Sequence, residues 1–257
     1  MPSQVHAKPV KQAFLQFYGA LNDFLPKNRQ GVNFPYQFTN GPSVKDVIEA
    51  IGVPHVEVDL ILVNGYSVAF NHNLRGKEKI EIYPRGEAPE LSPLVHLSAK
   101  PLPRAKFIID VNLGKLARKL RLLGFDSRYG NDLQDRDIVE QAIQEQRIIL
   151  TRDKGILKYG SVTHGYWLRS DDPKRQVNEV MKHFQLLQDI QPFTLCSSCG
   201  GPLVQVDAKQ LMERLPQDTR QQFKLFMECQ LCRQLYWQGS HYTRICNWIK
   251  KLKHLCK

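Results

Sequence analysis

Two carboxylates in the middle of the chain directly follow short apolar runs. Asp110 ends the stretch KFIID, and Asp153 follows the stretch RIILTR. Such runs are typical of strands buried in a parallel sheet, and the carboxyl ends of parallel strands meet at one edge. We therefore expect Asp110 and Asp153 to lie at the same edge. Asp135 opens the helix that leads into the second of these strands, and it would face that edge as well.

Carboxylates gathered at one edge repel one another unless a cation joins them. Oxygen ligands suit a hard divalent ion such as Mg²⁺ or Mn²⁺, and such an ion can activate water to cleave a phosphodiester. Asp171 and Asp172 are further candidates nearby. The alternative is that each aspartate caps a helix. One aspartate alone favours the cap, whereas three at one edge favour the metal site.

The cysteines predict a second kind of metal site. Four of the six form two Cys-x-x-Cys pairs, Cys196 with Cys199 and Cys229 with Cys232, and all six lie after residue 195. Two such pairs are typical of a structural, tetrahedral Zn²⁺ site. A secreted disulfide protein would spread its cysteines more evenly, so we expect a reducing compartment and a cytoplasmic location.

The charge of the chain favours a polyanionic partner. The net charge is +11, and residues 191–257 alone contribute ten Lys or Arg against four acids, or +6. A solvated basic surface is the alternative explanation. No run approaches the roughly 18 apolar residues of a membrane helix, and the N-terminus lacks an apolar signal region. The sequence therefore predicts no membrane partner.

Residues 1–90 are predicted to form a ubiquitin-like β-grasp domain. Strand signals surround the helix SVKDVIEAIG, in which Ser43 and Asp46 form a capping box and Gly52 marks the end. Asn64-Gly65 predicts a hairpin turn between two later strands. The Pro-rich residues 91–103 are predicted to be a linker.

Residues 104–190 alternate strand and helix signals, which predicts an α/β domain with a mainly parallel sheet. Its first helix carries an apolar stripe, formed by Leu113, Leu116, Ala117, Leu120 and Leu123. Lys115 and Arg118 lie on another face of that helix. Residues 191–257 hold the cysteine pairs and a basic tail rich in aromatic residues, predicted to form a zinc ribbon and tail.

The stretches FIIDVNLGKLARKLRLLGFDS, DRDIVEQA, QRIILTRD and WLRSDDP, together with the two cysteine pairs, resemble a known arrangement. It is the PIN-like ribonuclease domain of the Mut-seven C-terminal type, which has a zinc ribbon behind it and often a ubiquitin-like domain before it. The resemblance implies a Mg²⁺- or Mn²⁺-dependent ribonuclease. Asp110 matches the first-strand acid, Asp135 the helix acid and Asp153 the Thr-x-Asp acid. Asp172 is the predicted fourth acid.

The hypothesis assigns RNA contact to Lys115, Arg118, Arg152, Arg244 and His241. Cations interleaved with aromatic rings suit phosphate contact and base stacking on single-stranded RNA, although the rings could instead pack the ribbon core. The alternative function is a non-catalytic RNA-binding adaptor with a vestigial acidic site. The β-grasp domain would offer a surface for a protein partner.

Overall fold

The computed structural model describes residues 9–90, 94–211, 214–215, 222–223 and 225–255. The chain divides into two compact units. The first comprises Met1–Pro101 and Asp153–Trp167, and the second comprises Leu102–Arg152 and Leu168–Lys257. The domain boundaries expected from the sequence stay a prediction.

The first unit contains a five-stranded sheet. Its strands are β1 (Lys11–Phe17), β2 (Phe34–Phe38), β3 (Leu60–Val63), β4 (Tyr66–Ser67) and β5 (Lys79–Tyr83). They lie in the order β2-β1-β5-β3-β4, with β1 and β5 parallel and the other pairs antiparallel. A mixed sheet with a helix after its first hairpin is a β-grasp, so the predicted fold of this part is confirmed.

The helix of this unit, α1 (Val44–Ile51), begins and ends as the sequence predicts. The Ser43 hydroxyl accepts the Asp46 amide hydrogen at 3.2 Å, and the Asp46 carboxylate accepts the Ser43 amide hydrogen at 3.3 Å. Gly52 ends the helix at φ 117°, a left-handed conformation that favours glycine. Val47 and Ile48 on α1 belong to the buried apolar core of this unit, together with residues of the sheet.

The described part of the predicted linker lies against this sheet. Leu94 packs on Leu60, Leu62 and Tyr83. The Leu97 amide donates to the Asp59 carbonyl at 2.7 Å. Residues 91–93 lie outside the described part of the chain, but residues 94–98 are bound to the β-grasp unit.

The second unit contains three parallel strands. They are β6 (Phe107–Ile109), β7 (Ser127–Tyr129) and β8 (Ile148–Thr151), in the order β7-β6-β8. The helices α2 (Gly114–Leu122), α3 (Asp135–Gln144) and α4 (Pro173–His183) accompany them. The predicted apolar stripe of α2 is buried throughout, and Gly124 follows the helix at φ 92°. This is the predicted α/β domain with a parallel sheet.

The residues from Asp153 onward, after β8, belong to the first unit as far as Trp167. The segment Asp153–Trp167 groups with the first unit and contains a short 3-10 turn, Ile156–Lys158, and the strand β9 (Gly165–Trp167). The chain returns to the second unit at Leu168, whose amide donates to the Thr151 carbonyl at 2.9 Å.

The remainder of the second unit is a small antiparallel sheet followed by a helix. The strands are β10 (Leu203–Val206), β11 (Phe226–Cys229) and β12 (Leu235–Trp237), in chain order, and the helix is α5 (Ser240–Leu255). The sequence predicted a ribbon here but no C-terminal helix. Among the described residues, every helix is too short or too polar to cross a lipid bilayer.

Candidate functional site

Asp110 and Thr151 lie side by side at the carboxyl ends of two parallel strands. The register pairs Ile109 with Leu150, so the next residue of each strand reaches the same edge. The Asp110 amide donates to the Leu150 carbonyl at 3.1 Å, and the Thr151 hydroxyl donates to Asp110 Oδ2 at 2.7 Å. Asp110 is only 7% exposed and Thr151 is fully buried. A buried carboxylate is thereby held by a donor from the neighbouring strand.

The turn after Asp110 is fixed by Tyr129 at the end of β7. The Tyr129 hydroxyl lies 2.8 Å from the Val111 carbonyl and 2.6 Å from the Asn131 side-chain oxygen. A Cβ atom at Gly114 would lie 2.7 Å from that hydroxyl, so the close approach requires glycine. Sequence reasoning missed Tyr129, because no motif marks it.

Asp135 and Asp172 occupy helix starts. Asp135 is the first residue of α3 and is exposed. Asp172 caps α4, since its Oδ1 accepts the amide hydrogens of Arg175 at 2.9 Å and Lys174 at 3.0 Å. These backbone hydrogen bonds lower the pKa of the Asp172 carboxyl. The capping role that was the alternative for Asp172 is therefore present.

Asp153 belongs to the segment that groups with the first unit. It is exposed, and its Oδ1 accepts the Gly155 amide hydrogen at 2.7 Å. This bond closes a short turn before the 3-10 helix.

The described carboxylates form no compact ligand group. Among residues in the described ranges, only four cysteines bring three or more potential ligand atoms within 4.8 Å of one another. In the second unit, the oxygens of Asp110, Asp135 and Asp172 thus do not converge. The assignment of these acids to catalysis stays a prediction.

Cys196, Cys199, Cys229 and Cys232 form a cluster that could hold a metal ion. The Sγ atoms of Cys196 and Cys232 are 3.6 Å apart, and those of Cys199 and Cys229 are 3.4 Å apart. Thiolates bound tetrahedrally to Zn²⁺ at about 2.3 Å lie roughly 3.8 Å from one another. The cluster therefore fits zinc with little adjustment.

The pKa values of the cysteine thiols indicate that the four thiols need a cation in order to ionise together. Burial raises the pKa of the Cys196 thiol, but hydrogen bonds from the Tyr236 hydroxyl and backbone amides outweigh it and lower the pKa to about 6. The pKa of Cys232 is raised to about 12, although the Gln234 amide lowers it, because burial and the neighbouring thiols outweigh that bond. Thiols this close cannot all ionise unless a metal ion binds.

The turn that contains Cys196 and Cys199, which we call the first cysteine knuckle, is bound to α2 by Arg121. Its Nε donates to the Ser127 carbonyl at 2.9 Å, and its Nη1 donates to the Ser198 carbonyl between the two cysteines. Arg121 is 4% exposed. Burial lowers the pKa of its guanidinium, whereas the thiolates of Cys199 and Cys196 raise it. Sequence reasoning missed this residue, since it looks like one more surface cation of α2.

The chain that enters the ribbon also caps the end of α2. The Gln191 amide donates to the Leu123 carbonyl at 2.9 Å, and the Phe193 amide donates to the Leu122 carbonyl at 3.1 Å. A Cβ atom at Gly124 would lie 2.2 Å from the Gln191 carbonyl oxygen. The parallel sheet domain and the cysteine cluster therefore form one continuous structure.

Comparison with known families places the parallel sheet and the cysteine cluster within a single family model. The model of the Mut7-C RNAse domain matches residues 105–249, more than half of the chain. The chain belongs to the Mut7-C RNAse domain family. The model of the Mut7-C ubiquitin domain matches residues 10–90. A search among curated proteins found no match. The family resemblance inferred from the sequence is confirmed, and the chain carries a ribonuclease-type domain behind a ubiquitin-like one.

The Mut7-C RNAse domain of this chain carries a basic surface on two helices, which we call the α2–α5 surface. Lys119 Nζ lies 4.6 Å from the centre of the Trp248 ring, so α2 and α5 meet there. Neither helix contains an acid. Four of the predicted RNA contacts are exposed on them: Lys115, Arg118, His241 and Arg244. Arg152, the fifth, is exposed after β8.

Lys119 is the residue that sequence reasoning left out of this surface. Burial lowers the pKa of its ammonium group, the positive charge of Lys174 on α4 lowers it further, and Asp172 opposes both. Cations crowded in this way bind an anion favourably. The spacing of Trp248, Ile249 and Leu252 in the tail is a helical signal that would have revealed α5.

Proposed function

We propose that this chain is a metal-dependent ribonuclease that hydrolyses phosphodiester bonds in RNA. One observation carries the proposal. In a domain of a ribonuclease family, the buried Asp110 carboxylate is held by Thr151 at the carboxyl edge of a parallel sheet. Active sites of open α/β sheets collect at this edge. Asp135, Asp153 and Asp172 are the further acids that we assign to the site.

The catalytic cofactor in this proposal is Mg²⁺ or Mn²⁺. A bound ion would supply an activated water and would neutralise charge on the phosphate. The chemistry of the donor set supports it, because carboxylate oxygens are the ligands that these ions prefer. Thr151 holds Oδ2 of Asp110, which fixes the plane of the carboxylate and hence the direction of Oδ1.

RNA would bind on the α2–α5 surface. Lys115, Arg118 and Arg244 would contact phosphates, together with His241 and with Arg152 after β8. Each phosphate contact on a single strand contributes about 0.7 to the slope of log affinity against log salt concentration. We therefore expect RNA binding that weakens steeply with salt.

The cysteine cluster is proposed to hold a resident structural zinc. Its four ligands leave no open position, so the ion would support the fold and take no part in the chemistry. The same thiols favour a reducing, cytoplasmic location.

The test is cleavage of a labelled single-stranded RNA during titration with Mg²⁺ and Mn²⁺. We expect cleavage by the wild type and its loss in Asp110→Asn and Asp153→Asn, with zinc content and circular dichroism unchanged. Asp189→Asn is the control, because Asp189 is an exposed aspartate of the second unit. A wild type that cleaves no RNA with either ion overturns the proposal.

A second candidate function is an RNA-binding adaptor without catalysis. It is favoured by the described carboxylates, which do not converge to a ligand group. Salt-dependent RNA affinity that survives Asp110→Asn, together with no cleavage by the wild type, would decide for the adaptor. A protein partner of the β-grasp unit also stays a prediction, supported by the exposed Tyr66 at its β3–β4 hairpin.

A further inference from the structure

We propose that the ubiquitin-like unit is a positioning scaffold for Asp153, because it holds the segment Asp153–Trp167 through Glu57, His55 and Phe24. This inference rests on the proposed function, in which Asp153 is a catalytic acid. It gives the N-terminal unit a task inside the same molecule, in addition to any partner it binds.

The far end of the segment is held by Glu57. This residue ends a short 3-10 turn, His55–Glu57, and is 8% exposed. Its Oε1 accepts the amide hydrogen of Trp167 at 2.8 Å. The two residues are 110 positions apart in sequence, so the bond fixes β9 to the β-grasp unit. A buried carboxylate that binds a backbone amide is costly to remove.

The middle of the segment is held by His55 and α1. His55 Nε2 lies 2.9 Å from the Val162 carbonyl oxygen, and since a carbonyl only accepts, Nε2 carries the hydrogen. His55 Nδ1 lies 2.6 Å from Glu49 Oε1. Lys158 Nζ donates to the Glu49 carbonyl at 2.8 Å. The end of α1 and the 3-10 turn after it thus each bind the segment at one place.

The near end is held by a cation between two rings. Lys154 Nζ lies 4.8 Å from the centre of the Phe24 ring and 4.3 Å from that of Trp167. The two rings are themselves 4.8 Å apart, and Phe24 belongs to the core of the unit. Lys154 directly follows Asp153, so the anchoring reaches to within one residue of the candidate acid.

These contacts matter because Asp153 is exposed and lies in a turn. Its Oδ1 accepts the Gly155 amide hydrogen, a bond within the turn itself. Catalytic groups need placement to within about 0.5 Å, and a displacement of about 1 Å can cost on the order of 100-fold in rate. Within their compact unit, the contacts of Glu57, His55 and Phe24 hold the segment that begins at Asp153. We therefore infer that Glu57 and His55 are positioning residues.

The experiment compares Glu57→Ala with a matched control in the full-length protein. Glu78→Ala is the control, since Glu78 is also a buried glutamate of this unit, 7% exposed, and accepts the amide hydrogens of Arg75 and Gly76. Amide hydrogen exchange is measured in residues 156–163, away from the broken bond. We expect about tenfold faster exchange there in Glu57→Ala and little change in Glu78→Ala.

The kinetic part tests positioning rather than folding. We expect kcat for RNA to fall about 10- to 100-fold in Glu57→Ala with KM nearly unchanged, and to recover in Glu57→Gln, whose amide oxygen can still accept. His55→Gln provides a second variant in case Glu57→Ala fails to fold.

Two outcomes overturn the inference. One is exchange in residues 156–163 that is as slow in Glu57→Ala and His55→Gln as in the wild type. The other is an equal loss of kcat in Glu57→Ala and Glu78→Ala, which indicates a general loss of stability. If the wild type cleaves no RNA, the proposed function fails, and the exchange comparison still decides whether the unit holds the segment.

Discussion

Thr151 donates its hydroxyl hydrogen to Oδ2 of Asp110 at 2.7 Å, across two strand ends that are 41 residues apart in sequence. Both side chains are buried. The orientation of the Asp110 carboxylate is therefore set by the neighbouring strand. A carboxylate that has to hold an ion or orient a water molecule needs this kind of support.

Replacing Thr151 with valine keeps the shape of the side chain and removes the donor. We expect the free energy of unfolding of Thr151→Val to fall by about 1–3 kcal/mol, because a buried carboxylate oxygen loses its partner. Urea unfolding measures this change. Thr151→Ser keeps the hydroxyl and deletes one methyl group, about 0.8 kcal/mol of burial, and should retain more kcat on RNA. Equal kcat in the two variants would mean that the hydrogen bond does not orient Asp110.

The position of Asp110 at the carboxyl end of a parallel strand could be predicted, because the apolar run before it is a local signal of a buried strand. Its hydrogen bond with Thr151 was not predicted, since it joins two strands that are distant in sequence. The capping box of Ser43 and Asp46 was also predictable, since all its atoms lie within one turn.

The features that could not be predicted from the sequence depend on contacts between residues that are distant in the chain. Nothing around Val162 indicates that its carbonyl binds His55, 107 residues away. Arg121 has the same chemical type as the exposed Arg118 of its helix, and only the packed ribbon distinguishes the two. Asp172 satisfied two patterns at once, a helix cap and a strand-edge acid, and the structure shows the cap.

Gly124 is predicted to tolerate no side chain. Its φ is +92°, and a Cβ atom would lie 2.2 Å from the Gln191 carbonyl oxygen. We expect Gly124→Ala to lower the free energy of unfolding by about 2–4 kcal/mol, from backbone strain and overpacking together. Thermal unfolding measures the loss. Gly160→Ala is the control, because a Cβ atom there meets open space, and its change should stay within about 0.5 kcal/mol. A Gly124→Ala protein as stable as Gly160→Ala would contradict the packing between α2 and the ribbon.

Asp59 is predicted to give the β-grasp unit a pH-dependent contribution to stability. Burial raises the pKa of its carboxyl, but hydrogen bonds from Ser98 and from His96, at 2.9 Å, outweigh burial and lower the pKa below its ordinary value. Because the pKa is lower in the folded state than in the unfolded state, this stability is fully present above the unfolded value. It is lost as the pH falls through the folded value.

Asp59→Asn should therefore lower the free energy of unfolding by about 1–2 kcal/mol at pH 7. The difference in the free energy of unfolding between Asp59→Asn and the wild type should shrink at pH values below the pKa of Asp59 in the unfolded state. Urea unfolding at neutral and acidic pH measures both values. Glu90→Gln, at an exposed acid of the same unit, should show no such difference. A deficit of Asp59→Asn that is constant with pH would contradict the assignment.

Arg121 is predicted to support zinc binding without touching the ion. It donates to the Ser198 carbonyl inside the first knuckle, and it brings a buried positive charge near the Cys196 and Cys199 thiolates. Removing a group that orients metal ligands typically costs 10- to 100-fold in affinity. We expect Arg121→Met to release zinc to a chelator at least about tenfold more readily than the wild type, measured by competition with a colorimetric zinc indicator. Arg121→Lys keeps the charge but cannot reach both carbonyls. Its zinc release should therefore be intermediate between that of the wild type and that of Arg121→Met.

The control for Arg121 is Arg118→Met, the same change at an exposed position of the same helix. It should bind zinc like the wild type, while its RNA affinity falls and its salt dependence weakens. Zinc removal from the wild type should make the cluster cysteines reactive toward thiol reagents, because thiolates bound to a metal ion are protected from them. If Arg121→Met holds zinc as tightly as Arg118→Met, the knuckle does not depend on α2, and the contact between Arg121 and Ser198 serves only to pack the ribbon.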